Sequence, residues 1–161
     1  MKAASLSEVK KELQSLDPKQ LAEICIALAR YKKDNKEYLD FLLFESHNKE
    51  EYITRLKEQI DEDFMLARGQ GNLYYTKKTL RRVLRYINKY CKYMGEKTAT
   101  IDLLMYFCLK LKKSGIPFHD SKLIVNMYEQ QLKKIAILVA SLHEDLRMDY
   151  SADLEKLDLE S

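Results

Sequence analysis

The chain has 161 residues, 46% of them hydrophobic and 33% charged, with a net charge of +3. That is the length of one ordinary domain, able to bury roughly 68–70% of the surface its unfolded form exposes. With 4 Gly and 2 Pro there is little material for hairpin turns, and an all-α fold is expected.

The run from Met1 to Lys11 has no apolar core of signal-peptide length, and no apolar stretch reaches membrane-spanning length. Cys25, Cys91 and Cys108 are an odd set without a C-x-x-C spacing. These features predict a cytoplasmic protein with no membrane span, disulfide framework or thiolate metal site.

Four capping patterns open the chain: Ser5 with Glu8, Asp17 with Gln20, Asp34 with Glu37 and Asn48 with Glu51. Each places a side-chain oxygen three residues before a Glu or Gln, so that orphan helix amides are satisfied reciprocally. Pro18 reinforces the second, because proline at the first helical position loses no hydrogen bond. Helices are predicted over 6–15, 18–32, 35–46 and 49–67. The fourth has Tyr52, Ile53, Leu56, Ile60, Phe64 and Ala67 on one face, with Lys57, Glu58, Asp61 and Glu62 outside, the pattern of a surface helix packed on one side.

Gly69-Gln70-Gly71-Asn72 ends that helix and marks a candidate hinge at 69–72. No Gly-Lys-Ser/Thr follows its glycines, so a helix C-cap is favoured over a phosphate loop. A fifth helix is predicted over 76–94, stopping at Gly95. A sixth follows from 99 to 113, capped by Thr98; its polar face is so thin that it should be central. A seventh should run from Asp120 or Ser121 to about Arg147, some 40 Å at about 1.5 Å per residue. About seven helices in a compact bundle or a short array of helical hairpins are therefore expected, as one domain over 1–148 with an acidic tail over 149–161.

Charge is concentrated in one place. Residues 73–97 hold eight Lys and Arg against Glu96 alone, a net +7 in a chain of +3. On a helical wheel Lys78, Arg81, Arg82, Arg85, Lys89 and Lys92 share an arc of about 100°. Leu80, Val83, Leu84, Ile87, Cys91 and Met94 oppose them. Tyr75, Tyr86, Tyr90 and Tyr93 lie along one border, where a phenol can bury its ring and keep its hydroxyl wet. Guanidinium groups contact phosphates bidentately and bordering phenols can stack on bases, so this is a candidate anion- or partner-binding surface. The plainer account is a solvated face balanced by acids elsewhere in the fold. The opposite sign collects at the C-terminus, where residues 144–161 carry seven acids against Arg147 and Lys156. That segment is expected to lie near the fifth helix and compete with an anionic partner, or else to fray.

Catalytic patterns are thin. His47, His119 and His143 form no H-x-x-x-H pair, and no Glu-x-x-His recurs on two helices as a di-metal bundle requires. The Asp61-Glu62-Asp63 acids read as a solubilising exterior. No catalytic residue, metal site or cofactor is expected.

Leu6-Ser7-Glu8-Val9-Lys10-Lys11-Glu12-Leu13 with Leu16-Asp17-Pro18-Lys19-Gln20-Leu21 resembles the two short helices of a SAP-type DNA-binding motif, without the glycine-bearing turn expected between them. The same run, continued by Tyr38 to Leu43 and by Tyr52 to Phe64, is similar to small bacterial helical proteins grouped as a domain of unknown function. That resemblance implies a soluble bacterial protein and brings no activity. The expectation is a non-enzymatic module that binds a protein partner or acts as a scaffold, with nucleic-acid binding through the basic helix 76–94 as the alternative.

Overall fold

The computed structural model describes residues 2–69 and 71–157, with the backbone alone at Phe118. Among them are eight α-helices and no strand: Leu6–Ser15 (α1), Pro18–Tyr31 (α2), Lys33–Asp40 (α3), Lys49–Gly69 (α4), Leu73–Met94 (α5), Lys97–Lys113 (α6), Lys122–Ala140 (α7) and Glu144–Glu155 (α8). A π-helical turn, Phe41–Glu45, extends α3, and a 3-10 turn, Phe118–Asp120, precedes α7. The chain forms two compact units that divide between His47 and Asn48.

The first unit contains α1 to α3. Both expected capping boxes at its start are present: Ser5 accepts from the Glu8 amide while the Glu8 carboxylate accepts from the Ser5 amide at 2.8 Å, and Asp17 with Gln20 repeats the arrangement. The Ser5 hydroxyl also donates to the Glu8 carboxylate at 2.7 Å, and that bond, with the one from the Ser5 amide, holds the Glu8 carboxyl below the usual carboxylate range. The third start differs. α3 begins at Lys33, with Lys32 as a cap that makes no side-chain bond, and the Asn35 amide donates to the Leu28 carbonyl at 2.9 Å. A side chain reaching back to α2 thus fixes that junction, in place of a cap at Asp34. No side chain of α1, α2 or α3 is buried; Phe41 is the buried one among the described residues of this unit.

The second unit holds the hydrophobic core. α6 packs against α4, α5 and α7, and buries Ile101, Leu103, Leu104, Phe107, Cys108 and Leu111 almost completely. Four or more apolar residues from each of α4 and α5 converge on it, including Ile60, Phe64, Val83 and Ile87. The candidate hinge at 69–72 falls within this unit, where Asn72 caps α5 by accepting from the Tyr74 amide at 2.8 Å and Thr76 donates its hydroxyl to the Ala67 carbonyl at 3.2 Å. Gln70 lies outside the described residues. At the far end of α5, Gly95 takes φ 67°, the left-handed conformation that glycine adopts without a Cβ clash.

The predicted seventh helix is two. α7 ends at Ala140, where the Ser141 amide closes the last turn, and α8 restarts after His143 with Glu144 and Asp145 in its first turn. Acids there complement the positive end of a helix dipole; continued into one long helix they would lie near its negative end. α8 packs on α7, and Leu157 just beyond it is buried. The Tyr128 hydroxyl donates to the Leu157 carbonyl, and Lys112 of α6 donates to the Lys156 carbonyl at 3.2 Å. The segment expected as a tail from 149 is therefore helical to Glu155 and bonded to α6 and α7 through residue 157. Asp158 and Glu160 lie outside the described residues.

Candidate functional site

The sequence gives α5 an apolar side, so the helix must bury it, and its flanks are then decided by the neighbours on each side. α4 lies along the flank of Arg82 and the tyrosines. There the Arg82 guanidinium meets the Asp63 carboxylate at 2.5 Å, with Arg82 54% exposed and Asp63 only 6%. A carboxylate so deeply buried needs its cation, and this guanidinium is committed to it. Tyr90 packs edge-on against Tyr86, Tyr93 and, from α4, Tyr52, with ring centroids 5.7–6.1 Å apart. Tyr86 places its hydroxyl out of solvent with no hydrogen-bond partner among the described residues, and burial, then the Asp63 charge, pushes its ionisation up. The expected wet border is therefore partly a packed aromatic ladder. Tyr75 remains half-exposed, edge-on to Tyr74 at 5.3 Å.

The opposite flank faces α7. An open groove of about 690 Å³ runs between the two helices, lined by Lys78, Arg81, Leu84 and Arg85 from α5 and by Leu123, Asn126, Met127, Gln130 and Gln131 from α7. One wall is cationic, the other carries neutral carboxamides, and Leu84, Leu123 and Met127 supply an apolar surface. Gln131 is held in place by donating to the Met127 carbonyl at 3.2 Å. Three residues beyond Arg85 and three beyond Gln131, Lys134 donates to the Asn88 side chain, tying the helices together. Among the described residues no carboxylate lines the groove, and Lys78, Arg81 and Arg85 make no ion pair with any of them.

A second hollow of about 210 Å³ lies across the ridge, lined by Tyr75, Lys78, Thr79, Arg82 and Arg85. Lys78 and Arg85 line both hollows, so the ridge between them is made of a lysine and an arginine. Lys92 is exposed one to two turns further along, whereas Lys89 is half-buried, with its ammonium 5.4 Å from the Tyr90 ring centre. The structure thus brings Lys78, Arg81, Arg85 and Tyr75 to two adjoining hollows, commits Arg82, at the edge of the smaller one, to its pair with Asp63, and packs Tyr86 and Tyr93 against Tyr90.

Two groups of residues were missed by sequence reasoning. Asp63 looked like part of an acidic exterior, yet it falls at the spacing of Leu56, Ile60, Phe64 and Ala67, the buried arc of α4. Its position on the wheel was the available signal. Asn126, Gln130 and Gln131 carried none, because an amide on a helix has no distinctive spacing.

Among the described residues no three metal-ligating side chains come together. Cys25 is exposed, while Cys91 and Cys108 are buried, and burial pushes the Cys108 thiol up to about 12. His47, His119 and His143 are all exposed, with His143 Nδ1 3.5 Å from Asp145. No described helix is long and apolar enough to cross a membrane. No family model, curated protein or solved structure matches the chain.

Proposed function

We propose that the chain is a non-enzymatic binding module and that its α5 surface holds nucleic acid. The supporting observation is the open α5–α7 groove, where Lys78, Arg81 and Arg85 stand along one wall with no carboxylate among the described residues of the lining. A helix face left with unneutralised guanidiniums attracts phosphates, which supply most of the affinity of nucleic-acid binding. An internally balanced face would resemble the Arg82–Asp63 flank instead. The test is fluorescence anisotropy of labelled oligonucleotides at low salt, comparing the wild-type chain with Arg81→Glu/Arg85→Glu. The reading requires wild-type binding and its loss in the variant; equal binding by both proteins would place the contact elsewhere.

A second reading, docking of a partner protein on residues 2–47, is favoured by a separate observation. Leu6, Ile26, Leu28, Tyr31, Leu43 and Phe44 of the first unit are 50–89% exposed, in a segment whose three α-helices bury no residue. Apolar helix faces of this kind are the usual material of helix-to-groove recognition. Leu28→Lys/Leu43→Lys should abolish capture of such a partner without changing the oligonucleotide affinity; a variant that retains the partner would contradict the assignment.

A further inference from the structure

The nucleic-acid reading says only that phosphates are held; the shape beside them says more. A surface made solely for phosphates needs cations and nothing else. Here the cationic wall faces Asn126 and Gln130, both exposed, and the anchored Gln131, across an apolar surface of Leu84, Leu123 and Met127. Carboxamides offer a donor and an acceptor side by side, which suits base edges, whereas a phosphate takes donors only. Leucine and a methionine thioether offer contact to the flat face of a ring. In a duplex that face is hidden within the stack, so only an unstacked base can present it.

Size agrees. At about 690 Å³ the groove lies within the roughly 300–1,000 Å³ range of sites that take a small organic molecule, ample for one nucleotide. The ridge of Lys78 and Arg85 separates it from the smaller hollow where the half-exposed Tyr75 ring stands. A backbone crossing that ridge would set its phosphate on the two cations, one base in the groove and the next against Tyr75.

Resting on the nucleic-acid reading, we propose that the strand held on α5 is single, with one base lying in the α5–α7 groove against the α7 carboxamides and its neighbour stacked on Tyr75. The experiment uses the full chain, a labelled single-stranded oligonucleotide and its duplex, at low salt. The single strand should bind about tenfold tighter or more. Asn126→Leu/Gln130→Leu, which changes no charge at two exposed positions, should cost the single strand about tenfold and leave the duplex unaffected. Tyr75→Ala should cost it about fivefold. Equal affinity for both forms, or a single strand indifferent to these variants, would overturn the base-in-groove arrangement while phosphate binding stood. Absence of binding by either form would remove the nucleic-acid reading together with this one.

Discussion

The two flanks of α5 carry the same kind of residue to different ends. On the α4 side, Arg82 reaches a carboxylate that is 6% exposed and becomes part of the structure. On the α7 side, Arg81 and Arg85 face carboxamides and an apolar surface, and their charge stays available. A basic stripe is therefore not one object: the neighbouring helix decides which of its cations hold the fold together and which can hold a ligand.

Charge reversal of the open flank should produce the largest difference. Arg81→Glu/Arg85→Glu is expected to lower oligonucleotide affinity about 100-fold at low salt, since two of three groove cations are lost and two repulsive charges added. Its unfolding free energy in urea should stay within about 0.5 kcal/mol of wild type, because both side chains are exposed and neither is paired with a described residue. A comparable loss of stability would show that both flanks are structural.

Arg82→Leu should do the reverse. It strands the Asp63 carboxylate in the α4–α5 contact and is expected to cost about 2 kcal/mol in urea unfolding, below the roughly 3–5 kcal/mol of a fully buried pair because Arg82 is half-exposed. Asp63→Asn should recover part of that loss in the double variant; no recovery would show that the pair is not the source.

Carboxylates can also be installed on the open side. Asn126→Asp/Gln130→Glu would give the α7 wall two acids, and oligonucleotide affinity should fall about tenfold with little change in stability. Unchanged affinity would mean that the strand does not approach α7. The smallest effect belongs to Tyr86→Phe. Removing a buried hydroxyl that has no partner among the described residues should leave stability unchanged or raise it by up to about 1 kcal/mol, measured in the same urea series, and a clear loss would reveal a bond to that hydroxyl.

Helix positions were legible wherever local chemistry decides them. The capping boxes at Ser5 and Asp17 and the left-handed Gly95 are local geometry, and they set their helix ends as the residue types require. The near-continuous apolar run of α6 likewise foretold its place among α4, α5 and α7. Ends decided by tertiary packing were not legible. The break at Ser141-Leu142-His143 has no proline or glycine to announce it, and it is set by α8 seating on α7. The fate of the stripe was hidden for the same reason. Lys78, Arg81, Arg82 and Arg85 are alike in sequence, and only the approach of Asp63 on one side and Gln130 on the other separates them.

The exposed apolar faces of the first unit show the limit of periodicity. α2 has the amphipathic pattern of a packed helix, yet Ile24, Ile26 and Leu28 remain 38–55% exposed. Pattern says that a face is apolar; it does not say what covers it.

The most direct measurement is the salt dependence of single-strand affinity, taken between about 50 and 200 mM. One phosphate shared by Lys78 and Arg85 and a second on Arg81 predict a slope of log K against log salt of about −1.4, a loss of about 7-fold across that range. No binding at the low end, or an affinity indifferent to salt, would contradict the account.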